Sequence, residues 1–246
     1  MKRLGDIALA LAGLLVAGPF LLGLMVLIWL EDRHSPLYRA RRMGRGGLEF
    51  EMLKLRSMAV DADKSGVFST TKGDRRITRM GALVRRFKMD ELMQLWNVLK
   101  GEMSLVGPRP QVMSEVAHYT AEEKCLLKAL PGVTDLASIV FADEGDILLG
   151  HDDPDLAYNQ LIRPWKSRLG LLYIERQSLG LDVQLILLTA LALVCRRCAL
   201  SRVSGLVASL GGNAELVSVA GREEALTAHP PPGSDAIITA GCGTAL

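Results

Sequence analysis

Cysteine is scarce in this chain. Four residues, Cys125, Cys195, Cys198 and Cys242, are too few for a disulfide framework in 246 residues, so a reduced cytosolic setting is expected. The Cys195-Arg-Arg-Cys198 spacing suits a metal, but no second Cys or His pair stands nearby, which argues against a zinc site. No small-residue cleavage site follows the amino-terminal apolar run, which ends Trp29-Leu30-Glu31-Asp32. The run also exceeds a typical signal-peptide core, so cleavage is not expected. Net charge is nearly absent, +2 from 29 basic and 27 acidic residues, but its layout is uneven. Arg39, Arg41, Arg42, Arg45, Lys54, Arg56, Arg75, Arg76, Arg79, Arg85, Arg86 and Lys88 crowd one stretch. Such a surface needs an anionic partner; by charge alone, nucleic acid, lipid headgroups and phosphorylated small molecules all qualify.

Charge is missing altogether from residues 7–30, twenty-four positions, which is membrane length. Lys2 and Arg3 precede the run, and Arg33, Arg39, Arg41 and Arg42 follow it. Basic residues on both flanks fit a single span poorly under the positive-inside rule. In the middle, Gly18-Pro19 supplies a helix breaker, because proline removes one backbone bond and clashes with the preceding turn. Two readings stand: a kinked span, or a re-entrant helix that enters one leaflet and returns with both ends in the cytoplasm.

The most informative stretch is residues 88–110, KMDELMQLWNVLKGEMSLVGPRP. Leu92, Leu95, Trp96 and Leu99 recur at helical spacing as a packing face, with Asp90, Gln94 and Asn97 on a neighbouring polar stripe and Glu91 at its edge. In a first helical turn, free N–H groups and the helix dipole favour negative charge, so Asp90 is expected to be ionised and competent as a nucleophile. In Pro108-Arg109-Pro110 the flanking rings restrict the backbone and present the Arg109 fork at low entropic cost. A guanidinium so held grips a phosphate by two parallel hydrogen bonds. The plainer reading is that the acids cap a surface helix and Arg109 pairs with one of them.

Elsewhere, residues 36–43 and 48–55, separated by Gly44, Gly46 and Gly47, read as a small hairpin whose outer face carries Arg39, Arg41, Lys54 and Arg56. Residues 60–74 read as a polar loop able to close over a substrate, followed by a basic helix around 77–87. Helices are expected over 114–130, ending at Pro131-Gly132, and over 155–179. Residues 181–194 are apolar but too short to span, and fit either the headgroup plane, with Arg196 and Arg197 reaching phosphates, or a buried core. Asp143, Glu144 and Asp146 read as an acidic patch, either facing a substrate or, more simply, forming a solvated loop. From Ser201 onward, Gly, Ala, Ser and Pro dominate, and residues 201–246 read as a low-complexity tail.

Taken in order, several motifs resemble those of a known family over residues 1 to about 200. They are the basic-flanked apolar segment with its proline, Pro36-Leu37-Tyr38-Arg39 leading into Arg42-Met43-Gly44, Lys54-Leu55-Arg56-Ser57-Met58 and Arg76-Ile77-Thr78-Arg79. Strongest are Asp90-Glu91-Leu92 with Gln94-Leu95-Trp96-Asn97-Val98, then Gly101-Glu102-Met103-Ser104-Leu105-Val106-Gly107-Pro108-Arg109-Pro110, and Pro131-Gly132-Val133-Thr134. The chain is thereby similar to the bacterial sugar transferases, monotopic phosphoglycosyl transferases. The resemblance implies transfer of a sugar-1-phosphate from a nucleoside diphosphate sugar, usually a UDP-sugar, to polyprenyl (undecaprenyl) phosphate with release of UMP. It implies Mg2+ as cofactor, membrane lipids as partners, and no nucleic acid. It places the protein at the bacterial cytoplasmic membrane with its active site facing the cytoplasm. By the same resemblance, Asp90 attacks the sugar-proximal phosphorus, Glu91 holds metal with Asp90 or relays a proton, and Arg109 clamps phosphate, while Lys54, Arg56 and Arg79, in matched stretches, either meet phosphate oxygens or make structural ion pairs.

The chain departs from the family's pattern at three places. Gly18 stands where Ser is common, leaving Pro19 alone to break the membrane helix. Met93 replaces a usual Pro, and Asp135-Leu136-Ala137-Ser138-Ile139 replaces a Gly and Gln-Val segment in a part linked to sugar choice. The expected fold is α/β but mainly helical, not Rossmann-type. It is a membrane-anchored monotopic catalytic domain with a re-entrant N-terminal helix (1–34), a catalytic region with a small β-hairpin and interfacial helices (35–200), and the tail. Two rivals remain: a non-enzymatic membrane-associated polyanion-binding module, and a single displacement with donor and lipid phosphate bound together.

Overall fold

A computed structural model describes residues 2–62 and 73–239. The loop expected to close over substrate lies largely outside these residues. The chain opens with helix α1 (Lys2–Asp32), then the antiparallel strands β1 (Leu37–Met43) and β2 (Glu49–Leu55). The basic helix α2 (Arg79–Arg86) follows, capped by Thr78, whose Oγ1 accepts from the Gly81 N–H at 3.0 Å. A 3-10 turn (Met89–Met93) leads into α3 (Gln94–Lys100), which stops where Gly101 takes φ +90°. Strand β3 (Ser104–Val106) pairs in parallel with β4 (Gly132–Thr134), and α4 (Met113–Ala117) lies between them in sequence. The remainder is helical: α5 (Leu136–Val140), α6 (Glu144–Ile147), α7 (Pro154–Ala157), a π-helical segment (Tyr158–Ile162), α8 (Arg163–Arg176), α9 (Leu179–Val194), α10 (Arg196–Ser209) and α11 (Ala214–Gly221). The molecule is therefore mainly helical with a small hairpin, as the patterning predicts.

The largest core lies among α5, α8, α9, α10 and α11, around Leu136, Trp165, Leu169, Tyr173, Leu185 and Val203. Two smaller cores seat α1. Ala10 packs with Ala40, Met52, Val98 and Met103, and Leu21, Leu24 and Ile28 pack with Leu55 and Val84. Polar ties hold both ends of α1. Lys2 Nζ pairs with Asp182 at 2.6 Å and donates to the Tyr173 hydroxyl at 2.9 Å and the Val106 carbonyl at 3.0 Å. Arg3 donates to the carbonyls of Val98 and Leu99, and Asp6 accepts from Ser104 Oγ at 2.8 Å. At the far end, Arg56 forks onto Asp32 at 2.5 and 2.6 Å, and Glu31 accepts from the Arg79 backbone N–H at 2.9 Å. Between these ties the other side of the helix is apolar and exposed, with Leu15, Val16, Phe20 and Leu22 uncovered.

Several expectations are corrected. Pro19 lies inside α1 with helix on both sides of it, where the bond it removes permits a kink without ending the element. The hairpin does not gather its cations on one face. Tyr38 faces Lys54 across the strands, so the two-residue period puts Lys54 on the face opposite Arg39 and Arg41. The helix expected over 114–130 ends at Ala117. Thr120 then starts a new 3-10 turn (Glu123–Lys128) through a capping box, its Oγ1 accepting from the Glu123 N–H while Glu123 Oε2 accepts from the Thr120 N–H, both at 3.0 Å. The pattern over 155–179 is three segments that end at Arg176. The stretch read as a tail supplies most of α10 and all of α11, with Val203, Val207, Leu216 and Ala220 in the main core; its small residues pack closely instead of remaining loose. Cys195 and Cys198 are joined by a disulfide across the start of α10. Helix α9 resolves its two readings into two faces, Leu181, Leu185 and Leu188 being buried while Val183, Leu187 and Leu193 are exposed.

Two glycines bring β3 and β4 together. A Cβ on Gly132 would lie 2.1 Å from the Gly107 nitrogen, and one on Gly107 would lie 2.3 Å from the Leu130 carbonyl oxygen, so neither site admits a side chain without parting the backbones. Gly132→Ala is therefore expected to cost about 1–3 kcal/mol, whereas Gly18→Ala, whose added methyl meets nothing within 4 Å, should leave stability at or above the parent. Thermal unfolding of both variants in detergent checks this.

Candidate active site

Residue Lys88 adopts left-handed backbone angles (φ +53°, ψ +28°) and turns the chain sharply between α2 and the acid-bearing turn. Asn97 holds that turn against the hairpin: its Oδ1 accepts from the Leu53 N–H at 2.9 Å and its Nδ2 donates to the Glu51 carbonyl at 2.7 Å. Lys54, next to Leu53 on β2, is thereby set against Asp90 and Glu91. On the third side, the close packing of Gly107 on Gly132 fixes the course of Pro108-Arg109-Pro110 as it leaves β3. These elements line a cavity of about 730 Å3, closed elsewhere by α4, the α5–α6 junction, the π segment and Lys166 of α8.

The acidic and basic groups inside it are tightly coupled. Arg109 Nη2 donates to Glu91 Oε1 in a short ion pair, and Lys54 Nζ stands 4.0 Å from the same oxygen. Burial disfavours the Glu91 anion, but Arg109 and Lys54 together overcome that cost and hold its pKa at about 2. The charge of Glu91 in turn raises that of Arg109. Lys54 is pushed down to about 8, chiefly by burial and then by Arg109, with Glu91 and Asp90 opposing. Lys88 is lowered, again mainly by burial. Asp90 is 9% exposed, and its pKa is raised by burial and by neighbouring Glu91 against the pull of Lys54, Arg85 and Arg109. The turn that carries the two acids is 3-10, and burial together with the Glu91 charge raises the Asp90 pKa where a helix start alone would favour the anion. At neutral pH the site thus holds a firmly ionised Glu91 and a buried, more basic Asp90 among Lys54, Arg85, Arg86, Lys88 and Arg109.

Of the residues singled out in the sequence, Asp90, Glu91, Arg109 and Lys54 meet at this cavity. Arg56 and Arg79 do not line it. Arg56 is committed to Asp32, and Arg79 contributes its backbone N–H to Glu31 beside the end of α1. Gly18 and Pro19 lie in α1, away from the lining. The packing face holds for Leu92, Leu95 and Leu99, which pack against the two cores that seat α1, but Trp96 is 49% exposed while Gln94 and Asn97 are fully buried. Glu144, in the acidic patch, pairs with Lys166 on the cavity wall instead of standing in a solvated loop. Sequence reasoning missed Glu115, Tyr158 and Lys166 altogether; only the switch from α to π geometry at Tyr158, a frequent mark of functional sites, distinguishes that wall. Mg2+ suits the donor set offered by Asp90 and Glu91, since it takes one or two carboxylates and completes its shell with substrate phosphates and water. A cluster of cations facing two desolvated carboxylates is equipped to bind a diphosphate and to attack its phosphorus.

The whole of this lining up to Lys166 falls within residues 1–196, which match the family model described as "Bacterial sugar transferase". Curated relatives agree. A putative undecaprenyl-phosphate N-acetylgalactosaminyl 1-phosphate transferase of Bacillus subtilis (strain 168) is 50% identical over 111 residues, covering 45% of this chain and 62% of its own length. A UDP-glucose:undecaprenyl-phosphate glucose-1-phosphate transferase of Xanthomonas campestris pv. campestris is 37% identical over 208 residues, covering 80% of this chain and 40% of its own length. A UDP-N-acetylgalactosamine-undecaprenyl-phosphate N-acetylgalactosaminephosphotransferase of Aeromonas hydrophila is 32% identical over 197 residues, 77% of this chain and 42% of its own. The chain thus spans about two fifths to three fifths of the length of these relatives.

The Glu91 ion pair gives a pH test. Its folded pKa, about 2, lies below the ordinary 4.5, so the pair stabilises the fold fully above about pH 4.5 and the contribution is lost as pH falls towards 2. Glu91→Gln should cost about 1–3 kcal/mol at pH 7, with the gap in thermal midpoint between parent and variant narrowing steadily below pH 4.5.

Proposed function

Because the chain belongs to the bacterial sugar transferase family, we propose that it transfers a sugar-1-phosphate from a UDP-sugar to undecaprenyl phosphate, releasing UMP, and so starts assembly of a cell-surface glycan. The observation that carries this reading is the single cavity in which Asp90 and Glu91 face Lys54, Lys88 and Arg109. The cations bind and orient the diphosphate. A carboxylate stripped of water is a stronger nucleophile than a solvated one, and at Asp90, unlike at Glu91, the cost of burial is not outweighed by the neighbouring cations. Its oxygen attacks the sugar-proximal phosphorus, the bond to the bridging oxygen breaks, and UMP leaves with that oxygen. Arg109 and Lys54 take up the charge that develops on the leaving phosphate. An oxygen of the lipid phosphate then attacks the same phosphorus and releases Asp90. Mg2+ held by Asp90, Glu91 and substrate phosphates would supply charge neutralisation at the diphosphate.

The chemistry of the acceptor calls for a membrane, and α1 supplies the contact. Its uncharged middle carries an exposed apolar face, while Lys2 and Asp32 at its ends are tied to one globular body. Crossing the bilayer would separate those ends by about 30 Å of hydrocarbon. The ties favour a helix that enters and leaves on the cytoplasmic side, with the cavity opening to cytoplasmic nucleotide sugars.

Assay of UMP release against a panel of UDP-sugars with undecaprenyl phosphate tests the activity directly. Asp90→Asn is expected to lower the rate by at least about 10³-fold with lipid binding intact; unchanged turnover would remove Asp90 from the role of nucleophile. Labelled phospho-sugar should be trapped on the parent protein in the absence of lipid, and failure to trap it under conditions of full turnover would favour a single displacement. In kcat/KM, an alkaline limb near pH 8 is expected from Lys54 and should move to higher pH in Lys54→Arg. For topology, cysteines placed at Ser35 and ahead of Met1 should label from the same side of the membrane.

A further inference from the structure

The cavity has a second polar wall that the diphosphate chemistry does not use. Glu115 on α4, Tyr158 on the π segment, Glu144 on α6 and Lys166 on α8 all line it. They are joined to one another. The Tyr158 hydroxyl donates to Glu115 Oε1 at 3.2 Å, and Gln111 Nε2 donates to the Tyr158 hydroxyl at 3.3 Å. Lys166 pairs with Glu144, and its Nζ lies 4.9 Å from the centroid of the Tyr158 ring. Glu144 is held ionised against burial by Lys166 and also by Arg109 and Lys54, so it stands between the two walls. Glu115 lies one step further on, its electrostatic neighbours being Lys166, Arg163, Tyr158 and Glu144.

The composition of this wall suits a polyol better than a phosphate or a uracil. Two carboxyl groups repel an anion but accept from hydroxyls, while an amide, a phenol and an ammonium supply donors to the ring oxygens. Uracil, with one N–H donor and two carbonyl acceptors, has little use for two carboxylates. Burial raises the pKa of Glu115 to about 7 despite Lys166, Arg163 and Tyr158, with Glu144 adding to the rise, so near neutrality this group both donates and accepts.

We propose that Glu115, Tyr158 and the Lys166–Glu144 pair form the subsite for the hydroxyl groups of the transferred sugar, Glu115 and Tyr158 setting which sugar is accepted. The assignment rests on a sugar nucleotide being the donor. It places sugar choice on α4 and the π segment, in addition to the divergent 135–139 stretch.

The test compares parent, Glu115→Gln and Tyr158→Phe for UMP release from UDP-glucose, UDP-galactose and UDP-N-acetylgalactosamine with undecaprenyl phosphate, and for inhibition by UDP, which lacks the sugar. Tyr158→Phe removes one oxygen and keeps the ring, so it carries the test if Glu115→Gln does not fold. The expected result is a rise in KM for the preferred donor of about tenfold, a smaller change in kcat, an altered ranking of the three sugars, and unchanged inhibition by UDP. An unaltered ranking and KM would overturn the subsite alone. Weaker inhibition by UDP in step with KM would overturn it too, by giving the wall to the nucleotide. Absence of UMP release by the parent from any donor would overturn the donor assignment and the subsite with it.

Discussion

The ion pair between Glu91 and Arg109, with Lys54 4.0 Å from the same carboxylate oxygen, organises the cavity. Burial alone would neutralise Glu91 and weaken the hold on both cations. Because the cations lower its pKa to about 2, a charged triad persists in a place where a single charge would be costly. The triad joins three parts of the chain that are distant in sequence: strand β2, the 3-10 turn and the segment after β3. It also leaves Asp90, next in sequence to Glu91, as the carboxyl whose burial is not fully offset. The opposite pKa shifts of the adjacent acids thus follow from which of them the guanidinium reaches.

That triad depends on backbone contacts that carry no charge. Asn97 bonds to both Glu51 and Leu53, which keeps Lys54 in register with the acids. Gly107 and Gly132 let β3 and β4 approach until no Cβ fits, which fixes the start of Pro108-Arg109-Pro110. Polar ties at Lys2, Arg3, Asp6, Glu31 and Asp32 lay α1 along the same body. Helix α1 and the cavity therefore form one packed unit, sharing Leu55 and Met52 of β2 between the α1 contacts and the strand that carries Lys54.

Much of this was legible in the amino-acid pattern. The hairpin followed from strand-like runs around glycines, the basic helix from its periodicity, and Asp90, Glu91, Lys54 and Arg109 from charge and motif. Arg56 and Arg79 were not separable from them, since a cation that meets a phosphate and one that pairs with Asp32 look alike in one dimension. The polar stripe on α3 misled for a related reason. Buried Asn97 is satisfied by strand backbone from far away in sequence, and exposed Trp96 keeps a helical spacing that usually signals a core. The tail's small residues concealed two helices because Ala, Gly and Ser fit close packing as well as loops.

What the sequence determined by itself is therefore local or compositional: a charge-free stretch of membrane length, the basic run, the acid pair and the order of motifs that marks the family. Only the tertiary structure decided how those charges are shared. It put Arg109 on Glu91 with Lys54 4.0 Å from the same oxygen, sent Arg56 to Asp32, tied down both ends of α1, and raised a second wall from Glu115, Tyr158, Glu144 and Lys166. The reason is physical. Propensity and periodicity act over a few neighbouring residues, whereas burial and Coulomb interaction depend on distances through space that only the folded chain sets.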